Sequence, residues 1–410
     1  MNLLFKNPET LVRTHEGPLG KYIDYYAAEL RAEGYAEHSA KMQVRLLADF
    51  SHWLAKRRIS ATQITAAHLR PYLRSRARYR RPQRGDAVPL KRLLNLLLRQ
   101  GVIAEPSLPP ATLAEKLRDE FRLYLQQERA LSSTTSIAYM RFVGQFLTEH
   151  FGNGPVDLSS LSAPDVIRFV QGRATLIHSK RLQWMTSALR SFLRFAHYRG
   201  DLHTDLAACV PAVSNWSQSN IPKALPPGQV KRVLASCDRR TALGRRDYAI
   251  LLLLARLGLR AGEVTTLRLE DLDWQAGSIM VHGKGGHDSP MPLPQDVGEA
   301  IVDYVRNGRP PTASRGVFLR ARAPVQSLKG AQAIDFVVKK ALARAGIDSP
   351  RKGAHQFRHG LACQMLRQGA TLSEIGEILR HRNPQTTTIY AKVDLPSLAT
   401  LALAWPGGAR

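Results

Sequence analysis

The sequence predicts a mainly helical chain of several domains with one small β-sheet in its C-terminal part. Three observations predict this. At 410 residues the chain exceeds an average domain, so two or three are expected, and its 44% hydrophobic content suffices for full cores. Apolar residues recur at helical spacing through most of its length. Period-two alternation is confined to a short stretch on either side of Gly283-Lys284-Gly285-Gly286.

In chain order, residues 1–17 read as an irregular lead-in and 18–105 as a first helical domain. Tyr22, Tyr26 and Leu30 form one stripe; Val44, Leu47, Phe50 and Leu54, with Trp53, form a second. Thr65 is placed to cap a third helix that buries Leu69, Tyr72 and Leu73. After an arginine run, Leu90, Leu93, Leu94, Leu97 and Leu98 mark a fourth helix. A similar order returns over 111–210. Leu117, Phe121 and Leu125 open it, and Tyr139, Phe142, Phe146 and Leu147 follow. Ser162-x-x-Asp165 is a capping-box-like start, and Leu189, Phe192, Leu193 and Phe195 close the unit. The two halves read as a degenerate duplication of a four-helix unit, with two unrelated bundles as the alternative.

Residues 211–226 have the Ser, Asn and Pro content of a linker. From 227 to 394 a further domain is expected. It has a helix starting at Pro227, an apolar helix over Asp247–Leu257 and a hairpin with strands at Gly277–His282 and Asp288–Leu293. Two more helical patterns lie at Val297–Val305 and Ala331–Ala345. The tail 395–410, apolar at Leu398, Leu401, Leu403 and Trp405, reads as a terminal helix.

The charge is the unusual bulk property: 59 Lys and Arg against 33 Asp and Glu give +26. A surplus spread along the whole length points to a polyanion, with nucleic acid the first candidate. Candidate DNA-contacting residues are Arg74, Arg76, Arg78, Arg80, Arg81 and Arg84 in the first unit, and Arg181 and Arg190 in the second. Cys209, Cys237 and Cys363 lie far apart, which indicates neither a disulfide framework nor a zinc knuckle. Neither a membrane-length apolar run nor a secretory signal is read, so a cytoplasmic protein of the bacterial nucleoid is expected.

The chemistry-bearing residues gather in Arg351–Lys392. His355, Arg358 and His359 form one basic cluster, Arg380, His381 and Arg382 a second, and Tyr390 follows. Reaction at a phosphate diester needs donors for the non-bridging oxygens and a hydroxyl that attacks in line. A phenol, with an ordinary pKa of about 10, needs cations nearby to act as that hydroxyl. The intervening Asn383-Pro384-Gln385 reads as a turn that leaves Tyr390 at the opening of a short helix, free to swing. His355 and Arg358, at i and i+3, share a helical face. His359 points elsewhere and reads as structural. A metal between His355 and His359 is disfavoured by Arg358 between them. Earlier in the chain, Arg260 and Glu263 read either as an ordinary ion pair or as a guanidinium oriented for phosphate. Lys284, on the hairpin tip, reads either as a solvated turn lysine or as a general acid.

Taken together, Arg260, Lys284, His355-x-x-Arg358, His381 and Tyr390 resemble, in order and spacing, the tyrosine recombinase family of phage integrases and Xer-type proteins. The strings L-G-L-R-A-G-E-V, H-Q-F-R-H-G and L-R-H-R-N-P-Q-T-T-T-I-Y carry the likeness. It spans roughly residues 227–392, and the second helical unit resembles that family's core-binding domain.

The resemblance implies two SAM-like DNA-binding units followed by a mixed α+β catalytic domain. It implies a site-specific recombinase that needs neither metal, cofactor nor ATP. Tyr390 attacks a scissile phosphate, Arg260 and Arg358 clamp it, His355 assists proton transfer, His381 contacts the phosphate and Lys284 protonates the leaving oxygen, with Glu263 in support. It also implies double-stranded DNA with a specific recombination site, a homotetramer and a Holliday junction. A partner recombinase and a tail docked on a neighbouring subunit are further possibilities. The first helical unit departs from the family pattern, as an extra core-binding copy or a divergent arm-binding module. The competing readings are a DNA-binding accessory protein with a disused site, and a type IB topoisomerase or telomere resolvase.

Overall fold

The computed structural model describes the chain except residues 1–4, 6, 84, 106–112, 153, 215–220, 284–285, 394–397 and 400–410. Arg84, Lys284 and all of the tail helix but Leu398 and Ala399 therefore lie outside the described residues.

Five helices build the first unit: α1 (Pro8–His15), α2 (Gly20–Ala32), α3 (Glu37–Ala55), α4 (Leu69–Arg76) and α5 (Ala87–Arg99). The stripes foreseen for α2, α3 and α5 meet in one core around Ile23, Tyr26, Val44, Phe50, Leu93 and Leu97. The core tyrosines keep their hydroxyls satisfied, Tyr26 by donating to Gln43 Oε1 at 2.7 Å and Tyr72 by donating to Leu46 O at 3.1 Å. Thr65 opens a short 3-10 turn, Ala66–His68, that runs into α4; Leu73 is only half-buried. The lead-in is not irregular. Asn7 caps α1 by accepting from Glu9 N at 2.9 Å, Pro8 starts it, and the helix packs on α2 and α3 with Phe5 buried beside it. At two turns, with one half-buried leucine, α1 has too little apolar stripe to register as a periodic pattern.

The second unit comprises α6 (Leu113–Gln127), α7 (Ser133–Phe151), α8 (Ala163–Ala174) and α9 (Ser179–Tyr198). Its core is aromatic, with the rings of Phe121 and Phe192 5.3 Å apart and edge-on. The capping box forms as read: Ser162 N donates to Asp165 Oδ2 at 3.1 Å. In both units two long helices are followed by 3-10 structure, a shorter helix and a final apolar helix, with α1 preceding this order in the first.

The C-terminal part holds α10 (Pro227–Ala235), α11 (Ala242–Arg256), α12 (Ala261–Thr266), three strands, α13 (Gln295–Asn307), α14 (Ala331–Arg344), α15 (His355–Arg367) and α16 (Leu372–Ile378). Strands β1 (Leu272–Asp273), β2 (Ser278–His282) and β3 (Asp288–Pro292) form an antiparallel sheet in that order. The pairing runs Leu272↔Ile279, Ile279↔Met291 and His282↔Asp288. Ile279 and Val281 face the core, while Met280 and His282 face outward, as the alternation requires. Two-residue β1 is too short to have been foreseen. Helix α11 is the centre of this part, with every residue from Ala249 to Leu254 buried.

The first unit and the C-terminal part form one compact body. At the turn after α2, Glu33 O accepts from Val325 N at 2.8 Å. Gly34 sits there at φ +76°, and a Cβ on it would lie 2.7 Å from Val325 Cγ2.

Two of the candidate DNA-contacting arginines are structural. Arg76 is buried and donates to Asp86 Oδ2 at 2.8 Å, closing the loop between α4 and α5. Arg190 donates to Val210 O at 2.9 Å and Pro211 O at 3.1 Å, fixing the chain as it leaves the second unit. Arg74, Arg78, Arg80 and Arg81 are exposed, as is Arg181, whose guanidinium lies 5.9 Å from the Phe142 ring centre. Arg76→Ala leaves Asp86 nearly buried and uncompensated, and is expected to cost about 3 kcal/mol of stability. Arg78→Ala is expected to leave Tm unchanged and to lower the salt dependence of DNA binding. Thermal melts and binding titrations at several salt concentrations measure both.

Candidate active site

The site is built from the end of α11 forward. There the chain turns through Gly258 at φ +57°, where a Cβ would meet Leu379 Cδ2 at 2.8 Å, so only glycine fits. Two residues on, Arg260 precedes α12, and Glu263 in its first turn reaches back. Arg260 N donates to Glu263 Oε2 at 2.8 Å and Arg260 Nη1 to Oε1 at 2.7 Å. The same carboxylate accepts from Arg380 Nη2 at 2.7 Å. Glu263 is buried, and burial would raise its pKa. The Arg260 backbone N–H, the Arg380 charge and the Arg260 side chain overrule that, holding it below the usual carboxylate range.

Helix α15 brings the second arginine. Its start is fixed by Asp335 of α14, which accepts from Ala354 N at 2.9 Å. Its inner face lies so close to the incoming chain that a Cβ on Gly360 would sit 2.8 Å from Leu225 O. Arg358 is 4% exposed and donates Nη1 to Gly258 O at 2.6 Å and Nη2 to Leu379 O. Burial, then Arg260 and Arg380, push its pKa down to about 9, so it is still charged at neutral pH. The turn after α16 completes the frame. Arg380 adopts φ +54°, unusual for a residue with a side chain. The two successive carbonyls there each take an arginine: Leu379 O from Arg358, and Arg380 O from Arg260 Nη2 at 3.2 Å. Two guanidiniums thus share one carboxylate, a third, that of Arg358, is held beside them by backbone carbonyls, and Arg380 Nε is buried without a hydrogen-bond partner. Such an excess of fixed positive charge is a site for an anion.

Tyr390 lies beside it in a 3-10 turn, Thr388–Val393. It is not free to swing. The ring is 1% exposed and packs with Ala362, Cys363, Ile375 and Leu379. Burial pushes its hydroxyl up to about 12, opposed by Arg358 and Arg260. The hydroxyl lies 3.0 Å from His359 Nδ1. The histidine read as structural from sequence is therefore the hydrogen-bond partner of the candidate nucleophile, at a separation of 31 residues that no local pattern encodes. His381 stacks nearly parallel to Tyr390, centres 6.5 Å apart, and is held through Nδ1 to Thr387 Oγ1 at 2.8 Å. His355 stands at the start of α15, its ring centre 6.2 Å from that of His359. Burial first, and then neighbouring charged side chains, lower all three imidazoles, His359 and His381 to about 4, so they are neutral near pH 7. The structure brings together Arg260, Glu263, Arg358, His381 and Tyr390, sets His355 at the edge, and adds His359 and Arg380. Adjacency to Arg358 and to His381 was their only signal in the sequence.

The model of the phage integrase family matches residues 223–395, and that of its N-terminal SAM-like domain matches residues 119–200. A Sinorhizobium fredii protein described as an integrase/recombinase is 48% identical over 403 residues, spanning 98% of each chain. This chain belongs to the phage integrase family. The tyrosine recombinase XerC of Lactobacillus delbrueckii is 29% identical to this integrase-family chain over 291 residues, covering 69% of it and 96% of XerC. Among solved structures, XerH recombinase bound to its difH substrate superposes at TM-score 0.55 with 16% identity, covering 69% of this chain and 83% of that one. The lambda integrase tetramer on a Holliday junction superposes at 0.52 with 14% identity, covering 76% and 87%. These likenesses place the fold among integrases. Membership makes the chain a tyrosine recombinase, an enzyme of DNA recombination and integration. Among the described residues no helix is long and apolar enough to cross a membrane.

Because His359 and His381 stay neutral in the fold but titrate near 6.5 when unfolded, the unfolded chain takes up protons that the folded chain refuses as pH falls. Stability is expected to fall from about pH 6.5 toward 4. The fall should be smaller in His359→Asn, measured as Tm against pH beside the wild type.

Proposed function

We propose that this family member is a site-specific recombinase that breaks and rejoins DNA strands through a 3′-phosphotyrosine. The observation that carries the reading is Tyr390, hydrogen-bonded to a neutral imidazole beside an anion site made by three arginines. With the His359 proton on Nε2, the Tyr390 hydroxyl donates to Nδ1, and that nitrogen receives the proton as the phenolic oxygen bonds to phosphorus. The P–O5′ bond breaks, and its electron pair leaves on the 5′ oxygen, which takes a proton from Lys284. Arg260 and Arg358 neutralise the non-bridging oxygens as charge develops, Glu263 holds Arg260 and Arg380 in place for this, and His381 and His355 complete the donor set. The reverse attack by a 5′ hydroxyl of another strand reseals the DNA, and the covalent link conserves the diester, so ATP is not consumed.

Two duplexes exchanging strands in turn pass through a Holliday junction and require four copies, and the lambda integrase neighbour is a tetramer on such a junction. The partner is double-stranded DNA bearing a recombination site, held by the second helical unit with Arg181. The exposed Arg74, Arg78, Arg80 and Arg81 of the first unit contact flanking phosphates.

The test uses a nicked suicide duplex carrying the end sequences of the chain's own element. Wild type is expected to form a covalent protein–DNA adduct, and Tyr390→Phe to bind equally and form none. A folded, DNA-bound wild type without adduct would establish the accessory-protein reading instead. His359→Ala is expected to slow adduct formation by about 10²-fold, in single-turnover assays.

A further inference from the structure

One arginine at the edge of the site has no part in the scheme above. Arg351 stands four residues before His355, in the loop that leads into α15, and it is exposed. Among the described residues its guanidinium has neither a hydrogen-bond nor an ion-pair partner. Arg260, Arg358 and Arg380, by contrast, are each held by Glu263 or by backbone carbonyls. Lys352, beside Arg351, is committed, with Nζ 3.1 Å from Asp348 Oδ1. We infer that Arg351 binds a second phosphate of the cleaved strand, one adjacent to the scissile phosphate, and that Gln356 is the positioning residue that presents it. This rests on the reading of Tyr390 as the nucleophile toward a DNA strand.

Gln356 lies between His355 and Arg358 in the sequence, but its side chain serves the loop rather than the arginine cluster. It is 3% exposed, and a buried amide needs partners for both its oxygen and its nitrogen. Oε1 accepts from Ser349 Oγ at 2.5 Å; Nε2 donates to Arg351 O and, more weakly, to Gly353 O at 3.5 Å. Carbonyls only accept, so the amide nitrogen is the end that faces them. The backbone of Gln356 is tied in turn to the chain entering the domain, its carbonyl accepting from Leu225 N at 3.3 Å. On the far side of the loop Asp335 accepts from Ala354 N at 2.9 Å, and a Cβ on Gly353 would sit 3.0 Å from Asp335 Oδ1. The backbone is therefore pinned at Arg351 and on either side of it, while the guanidinium is left in solvent.

The arginine also acts on the site. Burial is the largest cause of the lowered pKa of His355 and of His359, and the Arg351 charge is among the smaller ones that add to it. These two imidazoles lie one turn apart on α15, their ring centres 6.2 Å from each other. Arg351 thus flanks the face from which His359 meets the Tyr390 hydroxyl. Phosphates follow one another along a strand at about 3.4 Å of helix rise. A strand held at Arg260, Arg358 and Tyr390 brings its next phosphate to the rim of the same site, within reach of a cation there. The planar fork of an arginine matches phosphate oxygens, and one without an internal partner gives up no contact to bind them.

The experiment measures the rate of covalent adduct formation by the full-length protein, below saturation, on three suicide duplexes. One is unmodified; each of the others carries a neutral methylphosphonate in place of one of the two phosphates adjacent to the scissile one. Wild type is expected to slow on the order of 10-fold with one of the two methylphosphonates. Arg351→Ala is expected to slow by a similar factor on the unmodified duplex and to lose nothing further with that methylphosphonate. Arg351→Lys should keep part of the rate, and Lys352→Ala should match wild type on all three duplexes. In binding titrations the salt slope of Arg351→Ala should be lower by about one. Gln356→Met is expected to lose the same methylphosphonate sensitivity as Arg351→Ala. Ser349→Ala provides a second route if Gln356→Met does not fold, as judged by circular dichroism. The phosphate contact is overturned if wild type is indifferent to both methylphosphonates, if Arg351→Ala cleaves the unmodified duplex as fast as wild type, or if its loss multiplies in full with each of them. If Arg351→Ala behaves as expected while the Gln356 and Ser349 variants match wild type, the positioning role of Gln356 fails and the contact stands. A wild type that forms no adduct on any duplex overturns the recombinase reading itself, and with it the scissile phosphate beside which Arg351 is placed.

Discussion

The buried carboxylate of Glu263 is the constraint on which the C-terminal part depends. It is 5% exposed and binds two guanidiniums and a backbone N–H from segments more than a hundred residues apart. Desolvating one carboxylate and two arginines is expensive unless hydrogen bonds satisfy what remains, and here backbone carbonyls do so. Leu379 O and Arg380 O, exposed by a left-handed turn, take Arg358 and Arg260, and Gly258 O takes the other side of Arg358. The result holds more positive than negative charge at a fixed point. An anion such as a phosphate would complete the balance, and donors fixed in advance need no reorganisation to receive it.

That preorganisation extends to the tyrosine. Burial disfavours its ionised form, while the nearby arginines favour it. Burial first, with Arg358 among the neighbouring charges, keeps the three histidines neutral, so that the positive charge resides on guanidiniums and the imidazoles remain available as proton acceptors. Burial and one set of guanidinium charges thus act together on the tyrosine and on the imidazoles beside it.

The helical units illustrate a different division of labour among arginines. In a chain of charge +26, an arginine run is easily read as a single DNA-binding strip. In the fold, Arg76 turns inward to Asp86 and Arg190 to two carbonyls, while Arg78, Arg80 and Arg81 remain in solvent. Helical phase and a nearby acceptor, not composition, separate the two groups.

What the sequence determined was whatever is encoded locally or by rare residue types. Apolar stripes with 3.6-residue spacing gave α2, α3, α5 and the second unit, because burying one helix face imposes that period. Period two on either side of a Gly-rich turn gave β2 and β3. Arg260, Glu263, Arg358, His381 and Tyr390, which the fold brings together, could be singled out in the sequence by residue type, order and spacing. Short elements carried no such signature, so α1 and β1 were missed. Only the tertiary structure could place Tyr390 against His359, or Arg380 on Glu263. Those pairs span 31 and 117 residues, and their distances depend on how α15, α16 and α12 pack. Likewise, Asp335 meets Ala354 N, and Leu225 N meets Gln356 O, only once α14, α15 and the incoming chain have packed, because hydrogen bonds form between neighbours in space and the chain encodes only neighbours in sequence.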